Sequence, residues 1–147
     1  MKYQILKEIP KEAYTEIHLQ LIPEIHETAK TFSEKIANHL HRHKAEVIRA
    51  TFFGSLSERD RTLKQLTDKL RDNSKDTNFP LSWIEGDNCG KTFINGVYIL
   101  ALSGIEIKRL YHHHTPVGSA FETDKAVYCF LGGLYSDPEL SPSEQAE

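Results

Sequence analysis

An α+β fold, in which a mixed β-sheet carries two helices on one face, is what the sequence predicts, on three observations. Apolar residues alternate with polar ones at Ile17, Leu19 and Leu21, the period of a half-buried strand. They recur at steps of three and four at Ala29, Phe32, Ile36 and Leu40, the stripe of an amphipathic helix. The run FINGVYILALS over residues 93–103 is apolar almost throughout, as a strand covered on both faces must be.

The elements follow in order. Glu16, His18 and Gln20 form the polar side of the first strand, which Pro23 closes. The helix spans about residues 28–43. Residues 46–53 hold Val47, Ile48, Thr51, Phe52 and Phe53, a β-branched and aromatic set that predicts the second strand, ended by Gly54 and Ser55. Ser55-Leu56-Ser57-Glu58 is a capping-box sequence, opening a helix with Leu63, Leu66 and Leu70 inward. Residues 72–78 are a polar loop. Leu81–Glu85 is a short strand and residues 86–91 a turn. After the long apolar strand come three more, over residues 105–111, 117–122 and 126–131. Ser141-Pro142-Ser143-Glu144 has the form of a helix start, with serine as cap and proline at the first helical position. The order is strand, helix, strand, helix, strand, strand, followed by extra strands. It predicts one unit over residues 1–104 and, over 105–147, the opening of a second.

Bulk properties narrow the function classes. Hydrophobic residues are 39% and charged residues 27%, an ordinary balance for a globular protein. A net charge of −3 supplies no general basic field for a phosphate backbone, so nucleic acid is not the expected partner. No apolar run approaches a membrane span, and the N-terminal stretch is too polar and acidic for a signal peptide. Cys89 and Cys129 make no disulfide framework, and a cytoplasmic location is expected.

With Val47-Ile48-Arg49-Ala50-Thr51-Phe52-Phe53 as the inner strand and Phe79-Pro80 before the last pair, the pattern resembles the YjgF/RidA superfamily. These are the reactive-intermediate deaminases, also described as endoribonuclease L-PSP-like. The stretches Val117-Gly118-Ser119-Ala120-Phe121-Glu122 and Tyr128-Cys129-Phe130-Leu131-Gly132-Gly133-Leu134 resemble the opening of a second such unit, as in tandem or chorismatase-like members. The resemblance implies a six-stranded sheet with two helices on one face. It also implies a homo-oligomer, trimer before dimer, with a small carboxylated metabolite bound in clefts between units. It further implies an arginine after the second helix to grip the carboxylate and a glutamate on the last strand to position water. Here the matching positions hold Phe79-Pro80-Leu81-Ser82-Trp83, without arginine, and Tyr98 in place of the glutamate. Planar carboxylate recognition is arginine chemistry, so this unit is expected to lack deaminase activity by itself. The alternative is an active imine/enamine deaminase or chorismatase-like hydrolase with its site at an interface.

The residues offer few candidates for chemistry. Glu85 beside Trp83 is the carboxylate to consider as acid or base, against the reading of an edge-strand glutamate in water. Cys129 is either a small hydrophobe or a nucleophile served by His112-His113-His114. Trp83, Tyr98 and Tyr128 are the aromatic residues for ligand binding, with the pocket expected where Leu81–Glu85 meets the block 128–131. His39, His41 and His43 close the first helix, where cations favour the dipole. With neither HExxH nor CxxC present, neither a metal nor another cofactor is expected.

Overall fold

The computed structural model describes residues 4–87 and 90–134. Cys89 and the helix start at Ser141 lie outside the described residues. The elements are β1 (Gln4–Pro10), β2 (Thr15–Leu21), α1 (Ala29–Arg42), β3 (Ala45–Gly54), a 3-10 turn (Leu56–Glu58), α2 (Arg59–Asp72), β4 (Leu81–Glu85), β5 (Gly96–Ser103), β6 (Lys108–His112), β7 (Thr115–Glu122) and β8 (Val127–Leu131). The class is α+β, as the periodicities predict, with a mixed sheet, two helices and a second sheet.

The main sheet has five strands in the order β1-β2-β5-β3-β4. Strand β5, the apolar run, lies at its centre, antiparallel to both β2 and β3. Strand β4 pairs parallel with β3, its return path being the helix α2. One face of the sheet meets both helices. Ile17, Leu19 and Leu21 of β2, Ala50 and Phe52 of β3, and Val97, Ile99 and Ala101 of β5 pack there against Phe32, Ile36 and Leu40 of α1 and Leu66 and Leu70 of α2. Leu63 joins at the margin.

Two local details depart from the sequence reading. Strand β1 was not anticipated. It is an edge strand on which Leu6 joins the helix-side core while Ile5 remains 59% exposed, so its pattern carries almost no amphipathic signal. Ser55 caps the 3-10 turn, accepting from the Ser57 N–H at 3.3 Å, while Glu58 pairs with Arg61 at 2.7 Å instead of reaching back. The reciprocal capping box occurs at α1, between Thr28 and Thr31.

Residues 105–134 pass to the other side of the sheet. Strands β6-β7-β8 form an antiparallel three-stranded sheet in that order. Phe121 of β7, 3% exposed, packs against Ile48, Leu100 and Leu102 of the main sheet, with Tyr14, Tyr98, Ile105 and Phe130 around it. Polar groups fix the stacking. A bulge between Val47 and Arg49 interrupts the ladder of β3. The Ser119 hydroxyl donates to the Ile48 carbonyl at 2.6 Å. Arg109 of β6, only 8% exposed in its side chain, donates through Nη1 to the Val47 carbonyl at 2.5 Å and to Ser119 Oγ at 2.6 Å. Its Nε donates to Asp76 at 2.8 Å. Burial works against ionisation of Asp76, but the Asn78 N–H and Arg109 together outweigh it and hold the carboxyl below the usual range.

Removing either polar partner leaves buried acceptors unpaired. Arg109→Met is expected to cost about 2–4 kcal/mol at neutral pH, and Ser119→Ala about 1–3 kcal/mol. Because the folded value of Asp76 lies below the unfolded one, its stabilisation is present above an unfolded value of about 3.9 and is lost as pH falls through the folded value. Urea unfolding at a series of pH values should therefore show the Arg109→Met deficit full at neutral pH and smaller in acid.

Candidate functional site

The second sheet covers only part of the main sheet's outer face. Leu100 and Leu102 lie beneath Phe121, while Tyr98, two residues back along β5, stands at the rim. Beyond it the outer face is open, with Phe53 38% exposed and Ile84 51% exposed. Strand alternation places Glu16, His18 and Gln20 on this face, because Ile17, Leu19 and Leu21 point to the helices. The register sets Gln20 directly opposite Tyr98 and His18 opposite Leu100, so His18 and Tyr98 are diagonal neighbours, within reach of long side chains.

These residues join in a string. His18 Nδ1 and the Tyr98 hydroxyl are 2.7 Å apart, and His18 Nε2 lies 3.3 Å from Glu16 Oε2. Lys11 stands 3.9 Å from the other Glu16 oxygen. An ionised carboxylate can only accept, so Nε2 carries the proton. In the neutral ring Nδ1 then presents its lone pair and the phenol donates to it. The remaining lone pairs of the Tyr98 oxygen are left for a ligand. A cavity of about 190 Å³ lies over the string, walled by Ile5, Lys7, Ile9, His18, Gln20 and Tyr98. A second, of about 280 Å³, shares Gln20 and Tyr98 and runs to Phe53 and Asn95. At its floor a Cβ on Gly96 would come 2.8 Å from the Leu21 carbonyl oxygen, so only glycine admits that approach.

Charge near Tyr98 is of both signs. Burial pushes its phenol above the ordinary value, Arg49 pulls it down, and Glu16 adds to the rise. Arg49 lies on the same face of β3 and is held over the Phe130 ring, 5.7 Å from its centroid. Lys7 sits opposite His18 on β1.

Of the anticipated residues, Tyr98 alone belongs to this cluster. Trp83 is a core residue, 7% exposed, stacked on Phe52 with ring centroids 5.5 Å apart and donating Nε1–H to the Gly54 carbonyl at 3.0 Å. Glu85 is exposed at the end of β4. Tyr128 stacks on Phe121 at 4.9 Å and faces the main sheet. Cys129, between Tyr128 and the inward Phe130, is exposed on the outer side of the second sheet. It pairs with Ala120, whereas the histidine run meets β7 at Thr115, about 17 Å away along the strand. The chain leaving β8 does reach β4, where the Gly133 N–H donates to Ser82 Oγ at 3.1 Å. That meeting is made by Gly133 and the Ser82 hydroxyl, with Trp83 and Cys129 on opposite sides of the layers.

Outside the site, His39 contacts Gln4 at 2.7 Å and His43 contacts Glu8 at 2.5 Å, tying β1 to the end of α1. Glu16 and His18 were legible only as the polar side of a strand. Nothing local in the sequence sets the β2–β5 register that brings them to Tyr98.

No family model, curated protein or solved structure matches the chain.

The Tyr98 phenol is expected to titrate above the free value of about 10. The near-ultraviolet phenolate step that differs between the native chain and Tyr98→Phe isolates it from Tyr14, which is also raised. Arg49→Gln removes the group that pulls the value down, so the step should move further up. The stabilisation tied to the neutral phenol is complete below the unfolded value and disappears as pH rises through the folded one.

Proposed function

We propose that the chain is a small-metabolite-binding domain of YjgF/RidA-like type, and that it takes a small carboxylated ligand on the open sheet face over Tyr98. The observation that carries this reading is the Glu16–His18–Tyr98 string under a cavity of about 190 Å³. Apolar walls with a few convergent polar groups suit a small ligand. Ile5 and Ile9 supply the apolar wall, and Gln20, His18 and Tyr98 supply the polar groups. Lys7 brings a positive charge, with Arg49 close enough to affect the phenol.

The strand, helix, strand, helix, strand, strand order of β2 to β5, with both helices on one face, is compatible with the family likeness. The sheet differs from the implied six strands in having five, with β1 as an added edge. Arg109 is no substitute for the missing carboxylate grip, because its guanidinium is taken up by Asp76, Val47 and Ser119. That supports a domain without deaminase activity of its own. Ile22, Phe53 and Ile84 are exposed apolar side chains and favour association of copies in solution, which the family likeness makes a trimer before a dimer.

The test is titration with 2-oxobutanoate, followed through the amide resonances of Gln20 and Tyr98. Both should shift in the native chain. Lys7→Gln should weaken the apparent Kd by about tenfold, equivalent to ~1.4 kcal/mol. Shifts confined to other surfaces, or affinity indifferent to Lys7, would count against the site. Ammonia release from freshly generated 2-aminoacrylate should proceed at the buffer rate.

A further inference from the structure

We infer that the Glu16–His18–Tyr98 string is a proton relay, with Tyr98 as the group that removes a proton from carbon in a bound 2-oxo acid. The inference rests on the binding site proposed above and adds a reaction to it.

Glu16 accepts from Nε2–H, so the neutral imidazole has its lone pair at Nδ1, 2.7 Å from the Tyr98 oxygen. The phenol proton therefore points to His18, and the phenol oxygen offers a lone pair to the cavity. This is the geometry of a nucleophile or base activated by a second base, which a carboxylate orients in turn. A tyrosine held only for packing needs no such order.

The step balances within the protein and its ligand. A C–H bond next to the ligand carbonyl breaks, and its proton goes to the Tyr98 oxygen. The phenol's own proton moves to His18 Nδ1, giving an imidazolium whose Nε2–H remains on Glu16. The electron pair from the C–H bond forms the carbon–carbon double bond of an enolate, and the negative charge passes to the carbonyl oxygen. Lys7 in the cavity wall favours that charge, with Arg49 nearby. The reverse transfer, from His18 through Tyr98, returns a proton to carbon or to the enolate oxygen. The net result is keto–enol interconversion, with no oxidant, reductant or other reactant consumed. The 3.3 Å separation of Glu16 and His18 leaves room for the bond to tighten once the ring is charged.

The experiment incubates the full chain with 2-oxobutanoate in heavy water and follows loss of the C3 proton signal. The native chain should speed exchange at least about a hundredfold over buffer, the usual worth of one positioned base. Tyr98→Phe and His18→Gln should both fall to the buffer rate while keeping a folded amide spectrum. Exchange that survives in Tyr98→Phe would overturn the relay. So would a native rate equal to buffer when the Gln20 and Tyr98 amides report binding, and in that case the binding site would stand. If 2-oxobutanoate shifts neither amide and exchange stays at the buffer rate, both the site and the relay fail.

Discussion

The buried guanidinium of Arg109 is the interaction on which the arrangement depends. A bulge in β3 turns the Val47 and Ile48 carbonyls out of the ladder, toward the apolar patch of Leu100, Leu102 and Phe121. Unpaired, these groups would each cost about 1–3 kcal/mol in a dry interface. Arg109 and Ser119, one from β6 and one from β7, satisfy both and join each other. Asp76, in the loop after α2, completes the charge pairing, so three parts of the chain meet at one cation. Phe121 supplies the hydrophobic drive for the two sheets to stack, but apolar contact is non-directional. The hydrogen bonds give the stacking its register.

That register decides where chemistry is possible. The small sheet ends its cover near Phe130, and Arg49 lies over that ring at the border. Inside the border, Leu100 and Leu102 are buried; just outside it, Tyr98 is half-buried and meets His18. A shift of the small sheet by one residue along β5 would either bury Tyr98 or free it from its desolvated setting. His39 and His43 also meet polar side chains, but their partners Gln4 and Glu8 belong to an edge strand, and the contacts fasten that strand to α1. Burial, with help from Arg42 and His43, pushes His39 below its ordinary value, toward the neutral form. Among the described residues, His18 alone has a carboxylate on one nitrogen and a phenol on the other, beneath a cavity.

Much of the fold was legible because burial writes periodicity. The helix stripe from Ala29 to Leu40, the alternation at Ile17 to Leu21 and the apolar run of β5 each announce a face that meets the core. Strand β1 was not, because an edge strand buries little on either side and its pairing with β2 is made by backbone. The site was less legible still. Tyr98 drew notice as the residue standing in place of the glutamate that the family resemblance implies, but its partners come from β2, and only the register of Gln20 against Tyr98 brings them together. Trp83 and Cys129 suggested a pocket through their chemistry. Their faces place the first in the helix-side core and the second on the far outer surface. Residue type marked the candidates, and sheet geometry separated them.

The stacked sheets leave a directed hydrogen-bond string, from Tyr98 through His18 to Glu16, on an open face. The ring nitrogens of His18 test it most directly, through long-range nitrogen–proton correlation spectra at a pH where the imidazole is neutral. The account predicts a single tautomer with the proton on Nε2 and an accepting Nδ1, and loss of that preference in Tyr98→Phe. A proton on Nδ1, or two tautomers in fast exchange in the native chain, would contradict it.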